Sequence, residues 1–130
     1  MSLDALRAEL DGTAGLPLEE AVPRIATALN GQTLLVPLVD YDEATGNVQL
    51  LTAKDNEGVA WIYAYTGEDV MQSVGMTGTR YGHFDFLDVV GMARRSGFGG
   101  IVLDMAEGRS RGIIPDYWLE EIERVLGGEG

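Results

Sequence analysis

The residues most suggestive of chemistry lie between Ala93 and Met105, where the chain reads ARRSGFGGIVLDM. Glycine-rich turns beside arginine hold phosphate when the chain leaves a strand, turns through the glycines and enters a helix whose N–H groups point at the anion. Here the order is reversed, because a predicted helix ends at Ser96 and an apolar strand follows. The helix end beside the glycines is therefore a C-terminus, which disfavours anions. We favour a structural corner over a phosphate site, with Gly97 as a left-handed helix cap.

The arginines around this predicted strand form two separate pairs. Arg94 and Arg95 precede the strand, and Arg109 and Arg111 follow it. About six strand residues hold the two pairs roughly 20 Å apart, so we expect no single basic patch. Instead, Asp104 is expected to pair with Arg109 across a turn, in the manner of an ordinary solvated ion pair.

Histidine catalysis and metal binding both have little support in the sequence. His83 is the only histidine, and cysteine is absent. None of the serines lies in the sequence context of a catalytic nucleophile. Asp85 and Asp88 could join His83 at a metal ion, but capping of a helix explains both aspartates more simply. We therefore predict no catalytic residue, no metal site and no cofactor.

An aromatic row is the first candidate for a binding surface. In the predicted strand Val59–Tyr65, alternation places Trp61, Tyr63 and Tyr65 on one face of a sheet. Aromatic side chains with polar tips are frequent anchors of protein interfaces, so these three residues are candidates for binding a partner protein. The alternative is that helices cover this face and the row is ordinary core, which we favour because both faces of the strand carry apolar residues.

The glycine-rich segment Gly75–His83 is the second candidate. Its sequence, GMTGTRYGH, is typical of a loop. Loops of this kind often close over a bound molecule. In this alternative Arg80, Tyr81 and His83 contact a small-molecule ligand or substrate.

The balance of charge restricts the partners. Nine basic residues face 21 acidic ones, which gives a formal net charge of −12. Such a chain repels nucleic acid and anionic membranes at long range. The sequence also lacks an apolar stretch long enough to cross a bilayer and an opening signal-peptide pattern, so we expect a cytoplasmic protein. The expected partner is another protein, and a homo-oligomer is compatible with the sequence.

The elements that position these residues predict a single α+β domain over residues 1–130. Its core covers about residues 21–126, residues 1–20 form a helical N-terminal extension, and residues 1–3 and 129–130 resemble vector-derived ends. An antiparallel three-strand meander is predicted over Thr33–Val39, Val48–Ala53 and Val59–Tyr65. A helix over Asp85–Ser96 then crosses to a parallel strand, Gly99–Asp104. The mixed sheet is packed with helices, including a C-terminal helix over Pro115–Leu126.

Two prolines modify these expectations. Pro37 lacks a backbone donor, so its strand is expected to lie at a sheet edge or to carry a bulge there. Pro23 lies inside a helical pattern of apolar residues, and the regular helix is expected to begin at this proline.

Four segments together resemble the N-terminal domain of the SseB family. They read ALNGQTLLVPLVD, AYTGED, GFGGIVLD and IIPDYWLEEIERVL, and the resemblance as a whole covers roughly residues 21–126. Val36-Pro37 and Ala64–Thr66 match short motifs of that family, whereas Asp104-Met105 stands where the family often has Asn-Pro. The resemblance implies an α+β domain and supplies neither catalytic residues nor a defined biochemical role.

The favoured functional hypothesis is a non-enzymatic protein-interaction or regulatory module. It rests on the missing catalytic constellation, the acidic composition, the aromatic strand and the resemblance. The alternative is a small-molecule-binding protein or enzyme in which the Gly75–His83 loop closes over a ligand.

Overall fold

The computed structural model describes residues 2–42, 44–45, 47–75, 80–105 and 109–126. The helices are α1 (Leu3–Asp11), α2 (Leu18–Leu29), α3 (Glu68–Ser73), α4 (Phe86–Arg95) and α5 (Leu119–Leu126). The strands are β1 (Thr33–Asp42), β2 (Asn47–Leu50), β3 (Thr52–Lys54), β4 (Ala60–Ala64), β5 (Tyr81–Asp85), β6 (Gly100–Leu103) and β7 (Gly112–Pro115). A short 3-10 turn, Asp116–Trp118, leads into α5. The predicted α+β class with a C-terminal helix is confirmed.

The strands form two sheets that meet at one bridge. The first has the order β2-β1-β5 and the second the order β3-β4-β6-β7. Strands β4 and β6 pair in parallel, as the sequence predicts for a helical crossover, and the other pairs are antiparallel. Leu35 of β1 pairs with Tyr65, just after β4, through two backbone hydrogen bonds of 2.9 and 2.8 Å, and this bridge joins the two sheets.

The middle strand of the predicted meander is divided between these sheets. The chain breaks at Leu51, so β2 pairs with β1 and β3 pairs with β4. The backbone N–H of Leu51 donates to the carbonyl of Pro37 at 2.9 Å. The predicted order of pairing is therefore correct, but the single mixed sheet is wrong, because the break passes one segment from the first sheet to the second.

The expectation for Pro37 is met by a bulge, whereas the one for Pro23 is wrong. Pro37 lies in β1, the central strand of its sheet, so the edge position is wrong. The register of β1 against β2 shifts between Leu38 and Asp40, directly after the proline, which agrees with the predicted bulge. Helix α2 begins at Leu18 and contains the exposed Pro23, so the helix does not begin at this proline.

The glycine corner between α4 and β6 is a helix cap, as predicted. Asp85 caps the beginning of α4 by accepting a hydrogen bond from the backbone of Leu87 at 3.3 Å. At the other end Gly97 has φ +70, and the N–H of Phe98 donates to the carbonyl of Ala93 at 3.0 Å. Helices commonly end with a left-handed residue, followed by an N–H that donates to a carbonyl of the last turn.

Candidate functional site

The four-stranded sheet has one face whose central residues are fully covered. Five residues in the middle of this side are 0% exposed: Ile62, Ala64, Ile101, Leu103 and Ile114. They belong to the main core cluster together with apolar residues of α1, α2, α4 and α5. The helices therefore pack on this side of the sheet, which is the arrangement expected when an amphipathic helix buries its apolar stripe.

The opposite face of the same sheet is apolar but partly open to solvent. The register places Tyr63, Val102 and Ile113 side by side on β4, β6 and β7. Trp61 lies two residues before Tyr63 on β4, opposite Ala53 of β3. Ile113 is 36% exposed, and the other members are half-buried. These residues, with Lys54, Asp55 and Met105, line a shallow cavity of about 310 Å³, and we call this surface the open face.

Trp61 is fixed on the open face by two independent features. Its indole Nε1–H donates to Oδ2 of Asp55 at 3.0 Å. Its ring also lies against the backbone of Gly99 and Gly100. A Cβ added to Gly99 would lie 2.6 Å from the indole Nε1, and one added to Gly100 would lie 2.8 Å from Cζ3. The two glycines that raise the question of a phosphate site thus make room for an aromatic ring.

Asp55 organises the turn that carries Trp61. Its Oδ1 accepts hydrogen bonds from the backbone N–H groups of Glu57 at 2.8 Å and Val59 at 3.0 Å, while Oδ2 accepts the one from Trp61. The Trp61 hydrogen bond and those from the backbone hold the pKa of Asp55 below its ordinary value. The carboxylate is therefore charged at neutral pH and remains exposed beside the indole.

Tyr65, the third residue of the predicted aromatic row, is not part of the open face. It is 1% exposed and packs in a small cluster with Leu35 and Met71 of α3. Its hydroxyl donates to the carbonyl of Met105 at 3.2 Å. Burial raises the pKa of Tyr65 to about 12. The structure thus divides the row, because α3 covers the Tyr65 end while Trp61 and Tyr63 line the cavity.

The residues predicted to form a ligand loop lie mostly on a strand. Tyr81 and His83 belong to β5, which pairs with β1, and Arg80 is exposed just before it. The rings of Tyr81 and His83 pack edge to face with centroids 5.5 Å apart. Residues 76–79 of the proposed loop lie outside the described residues. The prediction of a loop is therefore wrong for residues 81–83, which belong to a strand paired with β1.

A buried polar network joins the carboxyl ends of β4 and β6. Asp104 directly follows β6 with φ +49, and its side chain is almost completely buried. Its carboxylate accepts hydrogen bonds from the backbone N–H and the hydroxyl of Thr66, each at 2.7 Å. Arg111 Nε lies 3.0 Å from Oδ2 of the same carboxylate. Arg109, the partner expected from the sequence, is exposed instead.

The network extends to α1 and α3 through Arg7. Its Nε donates to the hydroxyl oxygen of Thr66 at 2.9 Å, and its two terminal nitrogens donate to Asp69 at 2.7 and 2.6 Å. The Arg7 hydrogen bond lowers the pKa of Asp69. Sequence reasoning missed this network, although parallel strands bring their carboxyl ends together and Thr66 and Asp104 follow two such strands. Its groups bond to one another, so it ties elements together.

Comparison with known proteins agrees with the resemblance seen in the sequence. A family model described as the SseB protein N-terminal domain matches residues 6–114, most of the chain. The chain belongs to this SseB family. The match to the SseB domain begins within α1 and ends in β7. The second half of α1 is therefore included in it, whereas α5 lies beyond it. No curated protein sequence matches the chain closely enough to name a relative.

The SseB domain has a second cavity on its helical side. About 140 Å³ in volume, it lies between α2 and α5 and is lined mainly by apolar side chains. The exposed Val125 of α5 forms part of its wall. The indole Nε1 of Trp118, which also lines it, is buried and has no hydrogen-bond partner among the described residues.

The part of the SseB domain that the structure describes contains neither a cluster of metal-binding side chains nor a helix that could span a membrane. Within residues 2–42, 44–45, 47–75, 80–105 and 109–126, no three acidic, histidine or cysteine side chains come together as a metal site requires. Among the same residues, no helix has the length and apolar composition needed to cross a bilayer.

Proposed function

We propose that this SseB domain is a non-enzymatic protein-interaction module that binds a partner protein on the open face. The observation that carries the proposal is the difference between the two faces of one sheet. Helices bury the centre of the first face, while the second exposes aromatic and branched apolar side chains around a shallow cavity. When one face of a sheet is buried and the other is solvated, the solvated face normally carries polar residues. A contiguous apolar surface there commonly marks an interaction site.

The composition of the open face suits an interface. Tryptophan and tyrosine are enriched among the residues that contribute most to binding free energy. Trp61 is held in place by Asp55 and by the Gly99–Gly100 backbone before any partner arrives. A side chain that is already ordered loses little conformational entropy on binding, so more of its contact free energy appears as affinity.

The described polar groups support a non-enzymatic role. Asp104, the buried carboxylate, already accepts hydrogen bonds from Thr66 and Arg111. Asp55 and Asp69 owe the lowered pKa values of their carboxyls to Trp61 and Arg7, which are structural neighbours. Each of these groups is explained by its contacts within the fold, and we assign catalysis to none of them.

Site-specific photo-crosslinking in cells of the source organism tests this proposal. A photoreactive amino acid at Ile113 on the open face is compared with the same amino acid at Leu3, an exposed apolar residue of α1. We expect a discrete crosslinked protein from position 113 and none from position 3. A second substitution, Val102→Glu, should abolish the product because it places a charge in the centre of the contact.

The opposite pattern contradicts the proposal. Equal products from both positions, or a product at position 113 that survives Val102→Glu, would show that the open face does not select a partner. Circular dichroism of each variant checks that the substitutions leave the domain folded.

A further inference from the structure

The Trp61 end of the open face carries an excess of negative charge. Asp55 and Glu57 are exposed in the turn before β4. Asp116, also exposed, lies at the same end, because its backbone N–H donates to the carbonyl of Gly99 at 2.8 Å. One cation, Lys54, lines the cavity there. Among the described residues at this end, Asp55 therefore contacts the aromatic ring, and Glu57 and Asp116 add two exposed carboxylates against the single positive charge of Lys54.

Five basic residues elsewhere in the described chain form ion pairs with carboxylates. The ion pairs are Arg7–Asp69, Arg24–Glu9, Arg94–Glu123, Arg111 with Asp104 and Asp11, and Arg124–Glu121. The net charge of −12 thus acts on an approaching molecule as a negative field. This field opposes a second copy of the chain, nucleic acid and an anionic membrane, and it favours a cationic polypeptide.

We infer that the open face binds a segment of a partner protein in which arginine or lysine stands next to apolar residues. The inference rests on the proposed function and adds the class of partner. The cationic side chain lies against the Trp61 indole beside Asp55, at the end of the sheet that also carries Asp116, and the neighbouring apolar side chains contact Val102 and Ile113. A cation over an indole ring is attracted by the ring's electron density, and arginine stacks on it particularly well.

The geometry of Asp55 is consistent with this role. A carboxylate offers about four acceptor positions, and Asp55 uses three of them on Glu57, Val59 and Trp61. It therefore fixes the indole while keeping its charge and one acceptor position for an incoming donor. The indole is ordered in advance, and the cation finds an aromatic surface and a carboxylate side by side.

Selection of peptides by the whole protein tests the inference. A phage library of random short peptides is panned on immobilised domain, and clones that also bind the Ile113→Glu variant are discarded. We expect the remaining peptides to be enriched in arginine or lysine beside apolar residues. Their affinity should weaken about threefold or more in Asp116→Asn and with added salt.

A matched variant distinguishes a local effect from the overall charge. Asp88 is exposed on α4, which packs on the covered side of the sheet. Asp88→Asn removes the same charge at a distant place, so peptide affinity should change by less than about twofold. Equal losses in the Asp88→Asn and Asp116→Asn variants would overturn the inference, because the peptide would then respond only to net charge.

The remaining outcomes separate this inference from the proposed function. Peptides that depend on Ile113 but show no basic enrichment overturn the cationic partner and leave the interaction surface in place. A selection that yields no peptide dependent on Ile113 also overturns the inference. In that case the crosslinking at positions 113 and 3 decides independently whether the open face binds a protein.

Discussion

Three aromatic residues of one strand have three different environments. Trp61 is held by Asp55 and lines the cavity, and Tyr63 borders it. Tyr65 is buried beneath Met71 of α3. Alternation places all three on the same side of β4, but it carries no information about how far along the strand a helix will extend. The position of α3 therefore decides which of the three side chains is buried.

The buried hydroxyl of Tyr65 predicts a loss of stability at alkaline pH. The folded protein holds its pKa at about 12, against an ordinary value of 10.0. Below pH 10 both the folded and the unfolded states keep the proton. Between pH 10 and 12 the unfolded state loses it first, so the free energy of unfolding should fall, by roughly 2–3 kcal/mol in total.

The Tyr65→Phe variant isolates this contribution. Its phenyl ring keeps the packing against Leu35 and Met71 but has no proton to lose. Urea unfolding at several values between about pH 9 and about pH 12 should show a steeper decline for the natural protein than for the variant. Parallel declines would mean that Tyr65 titrates in the folded state as it does in water.

At the scale of elements, the corner between α4 and β6 has two functions. Gly97 ends the helix in a left-handed conformation with open space around it. Gly100 has φ +148, which residues with a Cβ rarely adopt, and an added Cβ would also clash with the carbonyl oxygen of Ile114 and lie 2.8 Å from the Trp61 ring. Glycines that look alike in the sequence are therefore needed for two different reasons, the end of a helix at Gly97 and close packing at Gly100.

Alanine at these two glycines should have clearly different effects on stability. Gly97→Ala is expected to cost about 1 kcal/mol, the price of a left-handed conformation for a residue with a Cβ. Gly100→Ala must also displace the β7 backbone, so we expect a loss of about 3 kcal/mol. Urea unfolding of both variants measures the difference. Similar losses at the two positions would contradict the close packing at Gly100.

At the scale of the whole molecule, α1 is part of the core. The sequence suggests a helical extension over residues 1–20, yet Leu6 and Leu10 belong to the main cluster of buried side chains. Arg7 on the same helix bonds to Thr66 and Asp69. The family match also begins within this helix. Removing α1 would therefore expose core and remove the hydrogen bonds of Arg7 to Thr66 and Asp69.

Two leucines of α1 provide a matched test of this packing. Leu10 is 0% exposed and Leu3 is 42% exposed. Leu10→Ala should lower the free energy of unfolding by about 3 kcal/mol, because it removes buried apolar surface and leaves a cavity. Leu3→Ala should change it by less than about 1 kcal/mol. Thermal or urea unfolding measures both, and equal effects would show that α1 is a loosely attached extension.

Local features of the chain were predicted correctly because their physical causes are local. Asp85 begins α4, Gly97 ends it, and β4 pairs with β6 across the intervening helix in the parallel direction. Capping depends on neighbouring residues, and crossover direction follows from the order of elements. Family membership could likewise be read from short segments of sequence, since each segment forms one piece of the sheet or a helix.

Tertiary contacts decided the remaining features. The break at Leu51, the burial of Tyr65 and the choice of Arg111 over Arg109 as the partner of Asp104 each depend on residues distant in the chain. The sequence by itself determined most of the elements, their order and the acidic charge, but it missed β5 and the division between β2 and β3. Only the folded chain decided which face of the sheet the helices cover, because an apolar residue has the same local preference whether a helix or solvent lies against it.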